Sequence, residues 1–168
     1  MRASRRAGWT IPAVVALLVT ACAGEKAPQR ETTRVAMATP AGGEVVDGAA
    51  LFQRCATCHQ LTGQGAPGAY PPLAGSEIAT GPASIPIRIV LRGLSGPLTV
   101  KGAQFNGLMP AYGVGVEMSD EEVAAVLTYV RTSFGNTASA VTPEDVARER
   151  AAIASKTGSW TTAELGLK

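Results

Sequence analysis

The chain has 168 residues, 46% of them hydrophobic, so one domain with a core and tails is within reach. Nineteen glycines and eleven prolines against 5% aromatic residues argue for much loop. Fifteen basic and thirteen acidic side chains leave a formal charge of +2, and nothing in the balance suggests a nucleic-acid binder.

The first residues, "MRASRRAG", are basic, and "WTIPAVVALLVTA" follows as an apolar run too short for a comfortable membrane span. It ends in "VTAC", residues 19–22, which resembles a lipobox, the signal in which the cysteine takes lipid and becomes the first mature residue. Residues 1–21 therefore read as a signal peptide, and Cys22 as the lipidated residue. The expected location is the periplasmic side of a membrane, with a lipid anchor. Loss of residues 1–21 removes Arg2, Arg5 and Arg6 and no acid, so the basic balance belongs to the signal. Residues 22–43, small and polar without hydrophobic period, read as a flexible linker, with Met37 in it.

A helix is predicted from Asp47, a plausible N-cap, through "GAALFQRCATCH". Residues 60–76 are glycine- and proline-rich loop. "SIPIRIVLRGL" reads as a short helix with Pro86 in its first turn and Gly93 at its end. Residues 95–116 read as mostly loop or hairpin, with room for a short strand pair in "LTVKGAQF". "MSDEEVAAVLTYVRTSFG" carries the clearest helix signal, a capping box of Ser119 and Glu122, with Arg131 late and Gly135 as the stop. "TPEDVARERAAIASK" has Thr142 as cap, Pro143 at the first helical position and Gly158 beyond its end. No internal repeat and no βαβ pattern occurs.

Cys55, Cys58 and His59 fall within five positions, and His59 is the only histidine. A zinc site wants a second ligand pair, which is missing. A thioredoxin-like dithiol wants a βαβ context, also missing. Cys-x-x-Cys-His is the attachment signature for c-type haem, and residues three apart share a helix face, so two thiols can meet two vinyl groups with His59 under the iron. Attachment outside the cytoplasm agrees with the export signal. With no second histidine, the sixth ligand is expected from a methionine. Met109, in "FNGLMPAYG", has the best setting: Gly107 lets the chain turn and Pro110 stiffens it. Met118 sits beside a helix cap.

These parts resemble a class I cytochrome c over residues 44–136. Gly48 and Phe52 match that family's N-terminal helix, and Val126 and Tyr129 the C-terminal helix that crosses it. "PPLAG" matches the Pro-x-Leu-x-Gly loop, and "MP" the axial-methionine loop. The resemblance implies an all-α fold around one covalent haem c, with residues 137–168 as an extra helical extension. It implies that the Pro71 carbonyl accepts the Nδ1–H of His59, and that His59 and Met109 bind the iron. "GPLTVKGAQFNGLMPAYG", "SDEEVAAVLTYVRTSFGN" and "VTPEDV" are similar to small monohaem cytochromes that serve respiratory or dehydrogenase complexes.

Residues 60–76 and 102–116, the loops expected to border the haem, hold no charged residue, which predicts a largely apolar docking surface. Arg88 and Arg92, one turn apart, are candidate partners for haem propionates. Tyr70, Tyr112 and Lys101 are further rim candidates, Trp160 reads as a packed or disordered tail residue, and residues 144–150 as a solvated helix face. The expected function is one-electron transfer by a membrane-tethered carrier between redox protein partners, with no catalytic residue of its own. The alternatives are a haem enzyme or gas or peroxide sensor with a labile sixth ligand, and a carrier locked within a complex.

Overall fold

The computed structural model describes residues 45–167; the expected signal, Cys22, the linker and Met37 lie outside the described residues. Helix α1 spans Gly48–His59, α2 Glu77–Thr80, α3 Ser84–Arg92, α4 Asp120–Thr132 and α5 Pro143–Ala152. Strands β1 (Leu94–Val100), β2 (Ala103–Met109) and β3 (Trp160–Thr161) form one sheet in the order β2-β1-β3. The all-α expectation holds only in part: among the described residues, five helices are joined by a three-stranded sheet. β1 and β2 pair antiparallel from Leu94↔Met109 to Val100↔Ala103. Lys101 and Gly102 both have positive φ, 50° and 76°, as a tight hairpin turn matched to strand twist requires. Gly96, Pro97 and Gly107 inside the strands hid this pairing, because such residues depress the strand signal. β3 adds in parallel at Leu94↔Trp160, so the tail residue Trp160 belongs to the sheet.

The helix boundaries follow their caps. The Asp47 carboxylate accepts from the amides of Ala49 and Ala50 at 2.9 and 3.1 Å. Ser119 with Glu122, and Thr142 with Asp145, form capping boxes. α5 stops at Ala152, four residues short of the expected Lys156, where Ile153 leaves helical geometry and enters the core.

Two apolar clusters flank the site. The larger contains Phe52, Ile87, Leu91, Val123, Val126 and Val146; the smaller contains Ile89, Leu98, Val100, Phe105 and Leu165. α1 packs on α4, and Gly48 sits at the contact. A Cβ there would collide with the Ala125 carbonyl and lie 3.1 Å from Cβ of Tyr129. One turn on, Phe52 meets Tyr129 and Phe134 at ring centroid distances of 5.4 and 5.1 Å, tilted as aromatic quadrupoles prefer.

Arg131, late in α4, is buried rather than solvated. Its guanidinium donates to the carbonyls of Ser139 (2.7 Å), Ala79 (2.8 Å) and Gly81 (2.9 Å), tying the end of α2 and the loop after α4 to one helix. Burial pushes its pKa below the usual arginine value.

Because the obstacle at Gly48 is backbone, a methyl group there has to push α1 and α4 apart. Gly48→Ala is expected to destabilise the haem-loaded protein by about 1–3 kcal/mol in denaturant unfolding, with unchanged m-value.

Candidate functional site

Cys55, Cys58 and His59 occupy the last turn and a half of α1. The helix ends sharply after His59, because Gln60 adopts a left-handed φ of 61° while its amide still bonds Ala56 at 2.8 Å. The chain then folds back: the Gly65 amide donates to the His59 carbonyl at 2.9 Å. This return brings the Pro71 carbonyl to His59, whose Nδ1–H donates to it at 2.9 Å. A carbonyl can only accept, so Nδ1 carries the proton and Nε2 keeps the lone pair.

His59 is 7% exposed. Burial lowers its pKa, and the bond to Pro71 opposes that in part, so the ring is neutral at physiological pH. The Cys55 thiol is pushed up to about 11, mainly by burial, with Cys58 adding and Arg54 opposing. A thiol that stays protonated is a poor redox nucleophile, which argues against a reactive dithiol.

These three residues line one side of a cavity. α3 contributes Ile89 and Val90 to its wall, the hairpin Leu98 and Phe105, and α4 Val126 and Leu127. Met109, at the end of β2, lines it too and is half-buried. So do Tyr70 and Tyr112, the former 43% exposed. Met118 also reaches the cavity, although it sits next to a helix cap in the sequence and is only 4% exposed.

Other expected contacts go elsewhere. Arg88 is not in the cavity wall: its Nε donates to Glu149 at 2.7 Å, and its guanidinium lies 6.0 Å from the Trp160 ring. Arg92, at the end of α3, is likewise not in the wall. Lys101 sends its Nζ to the Ala74 carbonyl at 3.3 Å. Glu149 and Arg150 are engaged with other elements, so that part of α5 is no solvated face. A basic residue that sequence reasoning passed over does reach the cavity: Arg54, one position before the motif, whose buried Nη1 has no hydrogen-bond partner.

Asn136 was also missed. It is buried, accepts from the Gly75 amide at 2.7 Å, and donates to the carbonyls of Leu73 (3.1 Å) and Val130 (2.8 Å). It clamps the "PPLAG" loop, and with it Pro71, to the end of α4. Only its place at the limit of the family resemblance could have hinted at this.

A family model described as cytochrome c matches residues 45–134. Cytochrome c-552 of Thermus thermophilus is 45% identical over 94 residues, 54% of this chain and 70% of that protein. The fructose dehydrogenase cytochrome subunit of Gluconobacter japonicus is 35% identical over 116 residues, 64% of this chain. The gluconate 2-dehydrogenase cytochrome c subunit of Pantoea cypripedii is 37% identical over 122 residues, 70% of this chain. This chain spans 23% and 27% of those two subunits' lengths. The donor set fits a covalently held haem: two thiols one helical turn apart, a neutral imidazole with Nε2 free, an apolar cavity, and an open guanidinium donor in its wall.

Gly65 guards the His59 bond. Its φ is +64°, and a Cβ there would lie 2.6 Å from the Pro71 oxygen. Gly65→Ala is expected to displace that carbonyl, costing about 2–4 kcal/mol of stability. Proton NMR of the reduced protein would show it as faster exchange of the His59 Nδ1–H.

Proposed function

This chain belongs to the cytochrome c family and is an electron carrier with covalent haem c, and from that premise we propose a one-electron carrier with His59 and Met109 on the iron. The observation that carries the ligand assignment is the His59 bond to Pro71, which commits Nδ1 and leaves Nε2 as the only nitrogen able to ligate. Cys55 and Cys58 hold the ring by thioethers. Bound haem supplies a ferric/ferrous couple. The apolar wall excludes water from it, and the soft thioether of Met109 favours the ferrous state. Met109 is favoured over Met118 because Met118 is packed into the main core cluster, while Met109 ends a strand beside it.

The carrier acts on the periplasmic side of a membrane, held there by lipid on Cys22 and a linker of residues 22–43. Among the described residues no helix is long and apolar enough to cross a membrane. Its partners are redox proteins of respiratory or dehydrogenase complexes, a reading supported by the two dehydrogenase cytochrome subunits it resembles.

The docking surface is the cavity mouth. Leu108 is 65% exposed, and Tyr70, Val114 and Val116 are exposed with it. The loops that carry them hold no charge. A partner with an apolar, uncharged patch fits this surface, as the core of a transient interface does. Shape and apolar contact then set the encounter rather than long-range steering.

Visible spectra test the ligands. Met109→Ala is expected to lose the methionine–iron charge-transfer band and to bind carbon monoxide when reduced; Met118→Leu should keep the band. The reverse pattern would move the assignment to Met118. The bimolecular electron-transfer rate with a natural partner should change by less than about threefold over a tenfold change in ionic strength, whereas a steered pair changes by tenfold or more.

A further inference from the structure

The segment holding Met109 has two anchors. Upstream, the hairpin fixes Met109 opposite Leu94, and the Met109 carbonyl rests against Gly93, where a Cβ would come within 2.5 Å of it. Downstream, the chain turns through Ala111 and Tyr112 and runs on to the cap of α4. Tyr112 has a φ of 55°, a left-handed conformation that a bulky residue keeps only when its surroundings hold it there.

Two bonds hold it. Its amide donates to the Val90 carbonyl at 2.6 Å, and its phenol oxygen accepts from Arg150 Nη1 at 2.9 Å. Arg150 comes from α5, 38 residues further on. The rest of its guanidinium is committed to the start of α4: Nε donates to the Asp120 carboxylate at 2.7 Å, and Nη2 to the Met118 carbonyl at 3.0 Å. Glu117 lies 3.6 Å away. A planar fork with all three nitrogens engaged has one orientation, which a lysine could not reproduce. The preceding residue, Glu149, faces the other way and pairs with Arg88 on α3.

We propose that Arg150 is a positioning residue for the sixth iron ligand, acting through Tyr112 to hold the Met109 segment against the cavity. The proposal rests on the His59/Met109 reading above. Residues beyond position 136 then bear on the iron's coordination without touching it. Arg150 does not line the cavity, whereas Tyr112 does. Tyr112 also packs against the main core cluster, so its ring supplies bulk and Arg150 supplies the direction.

The test uses the full-length, haem-loaded protein. Arg150→Ala and Tyr112→Phe are each expected to weaken the ferric methionine–iron charge-transfer band. Each should raise the affinity for added imidazole, which competes for the sixth position, about tenfold, as loss of a charge-assisted bond implies. Tyr112→Phe removes one oxygen and keeps the ring, so it carries the test if Arg150→Ala does not fold. Glu149→Gln cuts the other tie of α5 and should lower thermal stability while leaving band and imidazole affinity unchanged. A wild-type protein without the band, or a band that survives Met109→Ala, would sink the ligand reading and this inference with it. A normal wild-type band that both Arg150→Ala and Tyr112→Phe leave intact overturns the inference alone. So does a response of Arg150→Ala without Tyr112→Phe, or an equal response from Glu149→Gln.

Discussion

The hydrogen bond from His59 Nδ1–H to the Pro71 carbonyl is the contact around which the site is built. It joins the last residue of a helix to a loop without regular structure, and it alone decides which imidazole nitrogen can reach a metal. The carbonyl must therefore be held still by other means. Within the loop, the amides of Leu73 and Ala74 both bond the Gly63 carbonyl, at 2.7 and 2.9 Å. From outside, Asn136 takes the Gly75 amide and the Leu73 carbonyl. The orientation of one ring thus depends on a side chain 77 residues away, in the turn after α4.

A cavity at the centre explains why so many struts are polar. Elements that line a cavity cannot meet across it, and the apolar clusters lie to its sides. Met109 and Trp160 are among the residues that touch both clusters. Elsewhere the loops are bound by buried donors that reach several acceptors at once. Arg131 binds three carbonyls and no carboxylate, so its charge is solvated by backbone dipoles. Removing such a group leaves each acceptor unsatisfied, which costs more than the bonds contribute.

How much of this was legible follows from sequence distance. The caps of α1, α4 and α5 and the Cys-x-x-Cys-His motif are local patterns, read from residues within one turn of each other. The Pro71 contact spans twelve residues and was reached through the family resemblance. The hairpin was half visible, because Gly96, Pro97 and Gly107 blur the period of its strands. The basic residues were the hardest to read. Arg88 and Arg92 looked like propionate partners from their helical spacing, but the partner of Arg88 is Glu149, 61 residues on. Arg150 looked solvated, the burial of Arg131 left no local signal, and Met118 looked like a cap neighbour rather than part of the cavity wall. A side chain that reaches across the fold leaves no periodic trace.

The inward use of charge has a consequence at the surface. Arg131 is buried, Arg150 and Arg88 are bound to acids on other elements, and Lys101 is bent onto the Ala74 carbonyl. These four cations are thereby spent on internal geometry, and the rim loops carry none of their own. The exposed apolar side chains there, Leu108 and Val116 among them, lie beside a cavity wall that must be apolar to keep water from the cofactor. An uncharged mouth lets the same apolar surface continue outward to a partner. It also leaves the anchoring of the Met109 segment to groups behind it, in α5, rather than to charges at the face where a partner would dock. On the proposed reading, the extension stiffens the site without altering the proposed docking surface.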